Sequence, residues 1–290
     1  MSYPDGLRLQ VEGYLEELDF PGSPAAAGLV EAMRYSLLAG GKRVRPVLAL
    51  ATARSLGAEP AELLPFAAAV ELVHTYSLIH DDLPAMDDDE LRRGRPTCHV
   101  AFGEDVAILA GDALYAEAFR LVLGEQEGPP GRRLAAGMEL ADATGVNGMV
   151  GGQYIDVAET AGAGGDGLRE LHSLKTGRLI AVAVEGACLL LGLEGEALAA
   201  YRRFARELGL LFQIVDDVLD VTESDETLGK PSGSDERHGK RTYVSEFGLE
   251  EARALAAGSR DEALAALAAA AGDRGAELEQ LTRFIADREN

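Results

Sequence analysis

Two long apolar segments that each run into a group of carboxylates constrain the fold of this chain more than any other feature. The first covers residues 61–79 and the second covers residues 207–221, and in both of them apolar side chains would fall on nearly every side of a helix. A helix that is apolar all round lies inside a protein rather than on its surface. Packed negative charge at the end of a buried helix is costly unless a cation is present. The two segments therefore predict a cation site inside a helical core.

Helical patterning covers most of the 290 residues. Apolar residues make up 47% of the chain, and because Leu and Ala dominate them while β-branched residues are sparse, helix is favoured over sheet. Gly- or Pro-rich stretches predict helix–helix connections at 19–24, 57–60, 124–131, 161–167, 192–195, 229–239 and 272–275. We therefore expect an all-α bundle of about ten helices that forms a single domain over residues 1–290.

The charge of the chain restricts its partners. A net charge of −22 argues against nucleic acid and against anionic membrane surfaces, since both attract basic patches. Basic residues nevertheless form islands that are candidate anion sites, although a single island is more often a solvated face. These islands are Lys42-Arg43-Val44-Arg45, Arg92-Arg93-Gly94-Arg95, Lys175 with Arg178, and Lys230 with Lys240-Arg241.

Targeting and redox signals are weak. The first 20 residues are acidic and have no apolar signal-peptide core, and the two cysteines, Cys98 and Cys188, are too few for a disulfide framework. The apolar stretches 179–184 and 187–191 are too short to span a bilayer. We expect a cytoplasmic protein without stable membrane insertion.

The acidic groups have the composition of a magnesium site. Residues 81–90 contain six Asp or Glu residues, and residues 216–220 contain three Asp residues. Asp216 and Asp220 lie four apart and so on one side of a helix, where like charges repel. Pro84 breaks the first helix, so a bulge or helix end there would bring Asp81 and Asp87 together. Oxygen ligands without His or Cys suit Mg²⁺, which substrate phosphates often complete.

Five ordered motifs resemble those of the trans-isoprenyl diphosphate synthases. Residues 78–89 followed by 91–94 resemble the first aspartate-rich motif, with the spacer before Asp87 of the bacterial farnesyl diphosphate synthase form. Residues 216–220 resemble the second aspartate-rich motif. The other three motifs are 40–46, 175–177 and 229–230, and together the resemblance covers residues 36–247. The resemblance implies the isoprenoid synthase fold, in which helices surround a central active-site cavity, and also a homodimer.

The resemblance also implies a reaction. Isopentenyl diphosphate would condense head to tail with dimethylallyl or geranyl diphosphate, with the help of three Mg²⁺ ions per active site. The main product would be farnesyl diphosphate, with geranylgeranyl diphosphate as the alternative. The implied catalytic residues are Asp81, Asp82, Asp87, Lys175, Thr176, Gln213 and Asp216, and the implied metal ligands are Asp81, Asp82, Asp87, Asp216, Asp217 and Asp220.

The basic islands acquire roles through the same resemblance. Isopentenyl diphosphate would be held without metal by Lys42, Arg45, His74 and Arg93. The allylic diphosphate would be held by Arg92, Lys175, Lys230 and Lys240, and residues 230–240 would close over it as a lid. Thr176 and Gln213 would direct oxygen dipoles at the developing cation.

Two residues before the first motif are candidates for setting product length. On a helix, Tyr76 and Ser77 would lie roughly 6–8 Å below the carboxylates, at the level where a hydrocarbon tail must pass. Tyr76 would form the floor and Ser77 would let the chain through. The alternative is that Tyr76 only packs between helices.

Two other classes of function remain open. A terpene cyclase would share the first motif, but it would want Ser or Thr where Asp220 stands, and it would not need the Lys42 and Arg45 site. A non-catalytic subunit of a heteromeric synthase would be expected to lose carboxylates, and this chain keeps both motifs.

Overall fold

The protein is built almost entirely from helices, which confirms the all-α prediction. The structure is a computed structural model that describes residues 3–222 and 240–287. Its α-helices are α1 (Asp5–Glu17), α2 (Ala27–Leu37), α3 (Val44–Ser55), α4 (Leu64–Asp81), α5 (Cys98–Phe102), α6 (Glu104–Arg120), α7 (Pro130–Thr144), α8 (Met149–Val157), α9 (Gly164–His172), α10 (Arg178–Leu190), α11 (Gly195–Thr222), α12 (Tyr243–Phe247), α13 (Leu249–Ala271) and α14 (Ala276–Ala286).

Shorter elements connect these helices. The 3₁₀ turns are Pro24–Ala26, Pro60–Leu63 and Gly272–Gly275, and the π-helical segments are Leu121–Glu125 and Ser173–Gly177. After α4, β1 (Leu91–Arg92) and β2 (Arg95–Pro96) form a small antiparallel hairpin, in which Leu91 pairs with Pro96 and Arg92 with Arg95. Neither the hairpin nor the π-helical segments were predicted, because both depend on a few local bonds rather than on apolar periodicity.

The two apolar segments form central helices, as predicted. Residues 66–73 of α4 are all buried, and α4 packs against α3 and α6. The helix α11 is 28 residues long and packs along α13 and α10. Gly186 on α10 faces the ring of Phe66, where a Cβ atom would lie 2.1 Å from Cζ, so α4 and α10 pack closely. Both acidic motifs are therefore anchored to helices that the core holds fixed.

One segment of the described residues, Pro60–Asp81, is long and apolar enough to cross a membrane by length and composition. The structure buries 61% of that stretch. A core helix passes the same test, and the packing of α4 identifies it as one.

Most connections fall where glycine and proline predict them. The connections near 19–24, 57–60, 124–131, 192–195 and 272–275 agree with the sequence, and 229–239 lies outside the described residues. The predicted connection 161–167 extends too far along the chain, because α8 ends at Val157 and α9 already begins at Gly164. A further connection between α7 and α8 was missed; there a Cβ on Gly148 would lie 2.0 Å from the carbonyl oxygen of Ala143.

Candidate active site

Both acidic motifs face one cavity of about 830 Å³. Helices α4, α8 and α11 line it, together with the turn after α4, the π-helical segment Ser173–Gly177 and residues 240–242. The predicted site residues that line it are Arg45, His74, Tyr76, Ser77, Asp81, Asp87, Arg92, Arg93, Lys175, Thr176, Gln213, Asp216, Asp217 and Lys240. Lys42, Asp82 and Asp220 do not line it, and Lys230, with nearly all of the predicted lid, lies outside the described residues.

The turn at Pro84 brings Asp87 back to Asp81, as predicted. Helix α4 ends at Asp81, and the backbone N–H of Asp87 donates to the Asp81 carbonyl oxygen at 2.9 Å. The backbone N–H of Met86 donates to the Leu83 carbonyl at 2.8 Å, which tightens the turn. Two carboxylates six residues apart thus stand on the same wall of the cavity.

Burial gives Asp81 an unusual affinity for protons. Removal from water raises the pKa of its carboxyl from 3.8 to about 6, and nearby Asp87 adds to the effect, while Lys175 opposes it. The amide nitrogen Nε2 of Gln153 donates to Asp81 Oδ1 at 2.8 Å. A half-buried carboxylate beside another carboxylate favours a cation, so Asp81 and Asp87 are suited to a metal.

Asp82 points away from this cavity. It is 3% exposed and accepts a hydrogen bond from Arg92 Nε at 2.7 Å. It lines a separate cavity of about 40 Å³ with Thr75 and Cys98. Its predicted role as a metal ligand therefore gains no support from its position, whereas Arg92 borders both cavities and is held in place by Asp82.

The three aspartates of the second motif have different surroundings. Asp216 is exposed to the cavity. Asp217 is 2% exposed and accepts hydrogen bonds at 2.7 Å from Gln213 Nε2 and from the backbone N–H of Tyr243. Asp220 is buried and lies outside the cavity lining, so its predicted metal role also gains no support. Of the three, Asp216 is the best placed to meet a ligand.

Lysines from distant parts of the chain reach the carboxylates. Lys240 Nζ donates to both carboxylate oxygens of Asp87 at 2.9 Å. Lys175, in the π-helical segment, forms an ion pair with Asp156 of α8. A Cβ on Gly152 would lie 2.3 Å from the Lys175 backbone nitrogen, so glycine lets α8 approach the segment that presents Lys175.

A second set of cations lies near the start of α3. Arg45 NH1 lies 3.4 Å from His74 Nε2, and its guanidinium carbon lies 5.5 Å from the centre of the Phe212 ring. Burial, with Arg45 and Arg93 nearby, lowers the pKa of His74 well below its usual value. His74 is therefore neutral, and Nε2 accepts from Arg45. Burial also lowers the pKa of Arg45 to about 10, where it stays charged at neutral pH.

Lys42 lies away from the cavity lining. Its Nζ stands 5.1 Å from the centre of the Phe284 ring, and its carbonyl oxygen accepts from the hydroxyl of Tyr3 at 2.5 Å. In the described residues it belongs to the outer side of the loop that precedes α3, so the predicted contact with isopentenyl diphosphate gains no support from its position.

Aromatic rings continue from the cavity into the bundle below Tyr76. The ring of Tyr76 lies 5.0 Å from His80 and 5.1 Å from Tyr115, and Tyr115 lies 5.2 Å from Phe119. The hydroxyl of Tyr115 is hydrogen-bonded to Thr144 Oγ1 at 3.0 Å. Ser77 also lines the cavity, and its hydroxyl donates to the His74 carbonyl at 2.9 Å. The space beside Tyr76 is thus closed by further aromatic rings.

Some residues in or beside the cavity could not be assigned from the sequence. His172 Nδ1 lies 3.9 Å from Asp217 Oδ2, and its ring lies 5.4 Å from that of Tyr243. Neither residue stands in a recognisable spacing with Asp217, because α9 and α12 reach it only through the fold. Gln153 and Asp156 of α8 also line the cavity.

The cavity residues suit Mg²⁺, which substrate phosphates help to bind, better than a metal whose ligands all come from the protein. Among the described residues, no three His, Cys, Asp or Glu side chains form a ready metal cluster. The cavity instead presents oxygen donors from two motifs, of which Asp81, Asp87 and Asp216 would hold the ion. Mg²⁺ usually takes one or two carboxylates and completes its shell with water and substrate phosphates.

Comparison with known proteins agrees with this geometry. The chain is 48% identical over 267 residues to the Geranylgeranyl pyrophosphate synthase 11, chloroplastic, of Arabidopsis thaliana, covering 90% of this chain and 74% of that protein. It is 44% identical over 286 residues to the Farnesyl diphosphate synthase of Geobacillus stearothermophilus, covering 96% and 92%. The fold matches a geranyltransferase from Helicobacter pylori solved with magnesium and isoprenyl diphosphate, with a TM-score of 0.87, 31% identity and 98% of each chain covered. The Polyprenyl synthetase family model matches residues 27–281, and the chain therefore belongs to this family of trans-isoprenyl diphosphate synthases.

Proposed function

We propose that the protein condenses isopentenyl diphosphate with dimethylallyl or geranyl diphosphate to give farnesyl diphosphate. The observation that carries the proposal is one cavity with charged groups at one end and a wall of aromatic rings at Tyr76. The charged end suits two diphosphates, and the apolar part suits a hydrocarbon tail of limited length. The proposal includes a cytoplasmic location and one catalytic domain over residues 1–290.

The allylic diphosphate is assigned to the carboxylate end. Asp81, Asp87 and Asp216 would hold Mg²⁺, whose three ions per site neutralise the leaving diphosphate when bound. Arg92, Lys175 and Lys240 already lie among these carboxylates and would turn to the diphosphate oxygens. The assignment of Lys230 to the allylic diphosphate stays a prediction. The assignment of Asp82, Asp217 and Asp220 to the metal also stays a prediction.

Isopentenyl diphosphate is assigned to the second set of cations. Arg45 and Arg93 offer planar guanidinium groups that can bind a phosphate through two bonds each. Neutral His74 accepts from Arg45, so its other ring nitrogen is a donor. Lys42 keeps its assignment as an outer contact. Among these residues Glu71 is the one carboxylate, so they offer no cluster of acidic oxygens for a metal ion. The cations themselves would neutralise this diphosphate.

Two polar residues are assigned to the carbocation. Gln213 donates its amide N–H to Asp217, which leaves its carbonyl oxygen to accept or to face the cavity. Thr176 lines the same cavity beside Lys175. Oxygen dipoles fixed in this way stabilise positive charge as the allylic bond ionises, and the apolar walls keep water from the cation.

Geranylgeranyl diphosphate is the second candidate product. The 48% identity to a plant enzyme named for that product favours it. The rings of Tyr76 and Tyr115, whose centres lie 5.1 Å apart, favour the shorter product, since they would limit the length of a hydrocarbon tail beside them. A terpene cyclase and a non-catalytic subunit are the alternatives of other classes.

Charge-neutral variants of the aspartates test the proposal. Asp81→Asn and Asp216→Asn should each lower turnover with Mg²⁺ by about a thousandfold, because the leaving diphosphate loses its electrostatic stabilisation. Release of diphosphate is measured with geranyl diphosphate, with and without isopentenyl diphosphate. The exposed Asp261 on α13 provides the control variant Asp261→Asn, which should keep full turnover.

The same assay separates the competing classes. A condensing enzyme releases diphosphate only when isopentenyl diphosphate is present, whereas a cyclase releases it without this partner. A non-catalytic subunit releases none under either condition. Normal turnover in both aspartate variants would reject the proposed site.

A further inference from the structure

A buried ion pair joins the loop before α3 to the middle of α4. Arg43 is 5% exposed and Glu71 is 2% exposed, and NH1 of Arg43 lies 2.6 Å from Glu71 Oε1. NH2 of the same guanidinium donates to the carbonyl oxygen of Leu37, the last residue of α2, at 2.8 Å. One side chain therefore ties the end of α2, the start of α3 and the centre of α4 together.

The backbone of this loop is in a conformation that needs such a restraint. Gly40 and Gly41 have φ angles of +82° and +124°, and Arg43, which is not glycine, has a φ of +51°. A left-handed conformation is unfavourable for a residue with a Cβ atom, so it persists only where the surrounding structure stabilises it. The hydrogen bonds of the Arg43 guanidinium to Glu71 and Leu37 stabilise this loop conformation.

The ion pair between Arg43 and Glu71 also places Arg45 next to His74. Arg43 and Arg45 are two residues apart at the start of α3, and their partners Glu71 and His74 are three apart on α4. Glu71 and His74 share one side of α4, because residues three apart lie next to each other on a helix. Arg43 bonded to Glu71 therefore brings Arg45 to His74 in the cavity, at 3.4 Å.

The second arginine of the anion site rests on the same loop. Arg93 donates to the carbonyl oxygen of Gly40, and its guanidinium carbon would lie 2.7 Å from a Cβ atom on Gly41. The negative charge of Glu71 opposes the effect of burial on the pKa of both Arg45 and Arg93. Glu71 thus stands behind the two arginines that face the cavity.

We propose that Glu71 is a positioning residue for the metal-free diphosphate site, which it orders through Arg43 without touching the substrate. This inference rests on the proposed function, because it concerns the site assigned to isopentenyl diphosphate. Glu71 belongs to none of the five motifs and does not line the cavity, because its side chain is buried behind the cavity wall.

The variant Glu71→Gln tests the proposal. It keeps the size of the side chain but removes its charge, so Arg43 loses a hydrogen bond to a charged acceptor. We expect the KM for isopentenyl diphosphate to rise about tenfold, as for the loss of one such bond, while the KM for geranyl diphosphate and kcat stay near their wild-type values. Calorimetric titration with inorganic pyrophosphate, without metal, should show a matching loss of affinity.

A matched control separates this effect from general destabilisation. Glu185 on α10 is 4% exposed and pairs with Arg202 Nε at 3.1 Å, so Glu185→Gln removes another buried charge on a different helix. It should leave both KM values unchanged, whatever its effect on the unfolding temperature. Arg45→Ala serves as the positive control and should raise the KM for isopentenyl diphosphate selectively.

The outcomes are distinct. If Glu71→Gln folds and its KM for isopentenyl diphosphate equals that of wild type, the inference is overturned while the proposed function stands. If Glu71→Gln does not fold, Arg43→Lys replaces it, since a lysine cannot bond Glu71 and Leu37 with one planar fork. A selective rise of that KM in Arg43→Lys supports the inference, and unchanged kinetics overturn it. Wild-type protein that condenses nothing overturns both proposals.

Discussion

Side chains of opposite charge neutralise one another in and around the cavity. Lys240 bonds both oxygens of Asp87, Arg92 bonds Asp82, and Lys175 pairs with Asp156. A buried charge without a partner is costly, so these pairs stabilise the carboxylates until a ligand arrives. Under the proposed function, Asp87 would hold Mg²⁺, and Lys240 would then turn from Asp87 to the diphosphate oxygens.

Asp81 should lower the stability of the fold at neutral pH. Burial raises its pKa from 3.8 to about 6, so the folded protein binds the proton more tightly than the unfolded chain does. The stabilisation from this proton is complete below pH 3.8 and is lost as the pH rises through about 6. Without metal at about pH 8, Asp81→Asn should therefore raise the unfolding temperature by about 2–4 °C.

Thermal unfolding measured by circular dichroism at two pH values checks this prediction. The gain from Asp81→Asn should shrink at about pH 5, where the wild-type carboxyl is largely protonated. The Asn carbonyl oxygen can still accept from Gln153 Nε2, so this hydrogen bond does not obscure the comparison. A lower unfolding temperature of Asp81→Asn at the higher pH would show that the ionised carboxylate does not destabilise the fold.

Single residues show where sequence reasoning stopped. The close approach of Asp87 to Asp81 could be predicted because Pro84 must end the helix locally. The inward direction of Asp82 and Asp220 could not, because it depends on how α4 and α11 are rotated in the core. Glu71 appeared as one charge within an apolar segment, and nothing in the sequence paired it with Arg43.

At the scale of elements, α4 connects the charged and apolar parts of the cavity. It carries Asp81 at its end, His74 and Ser77 along the cavity, and Tyr76 against Tyr115 of α6. The apolar pattern of residues 61–79 was sufficient to predict this helix and its burial. The contact with α6 was not predictable, because it depends on Gly111, where a Cβ atom would lie 2.3 Å from His80 Nε2.

The floor assigned to Tyr76 predicts a change of product length. Tyr76→Ala should let the tail pass toward Tyr115 and shift the products to longer chains without abolishing condensation. Tyr115→Phe keeps the ring and loses only the hydrogen bond to Thr144, so it should make the wild-type product. Chromatography of the dephosphorylated products measures both. If Tyr76→Ala makes the wild-type product, Tyr76 only packs between helices.

At the scale of the whole molecule, large apolar side chains remain exposed on several of the described helices, among them α6 and α7. Ile108 and Leu109 of α6 are 43% and 55% exposed, and Leu134 and Met138 of α7 are 58% and 64% exposed. Leu134 and Met138 are one helical turn apart and so share a side of α7. Large contiguous apolar patches mark association surfaces, and we propose that these residues of α6 and α7 belong to one that joins two copies of the chain.

The double variant Leu109→Glu with Met138→Glu tests the homodimer. Wild-type protein should have the mass of two chains in light scattering after size exclusion, and the variant should have the mass of one, because charge cannot be buried between the copies. Leu9→Glu on α1, where Leu9 is 60% exposed, is the control and should stay dimeric. A wild-type monomer would contradict the proposal.

The overall architecture was the part most open to prediction. Apolar periodicity and composition indicated an all-α protein, and the ordered motifs indicated the family; the fold and the family match confirm both. Product length was not settled in the same way, since it depends on the space between helices. The relatives include enzymes named for farnesyl and for geranylgeranyl diphosphate.

Product analysis of the wild-type protein tests the central claim most directly. The purified chain is incubated with Mg²⁺, isopentenyl diphosphate and one of three primers: dimethylallyl, geranyl or farnesyl diphosphate. The account predicts farnesyl diphosphate from the first two primers and no elongation of the third. Geranylgeranyl diphosphate as the main product would contradict the assigned floor, and no consumption of isopentenyl diphosphate with any primer would contradict the proposed function itself.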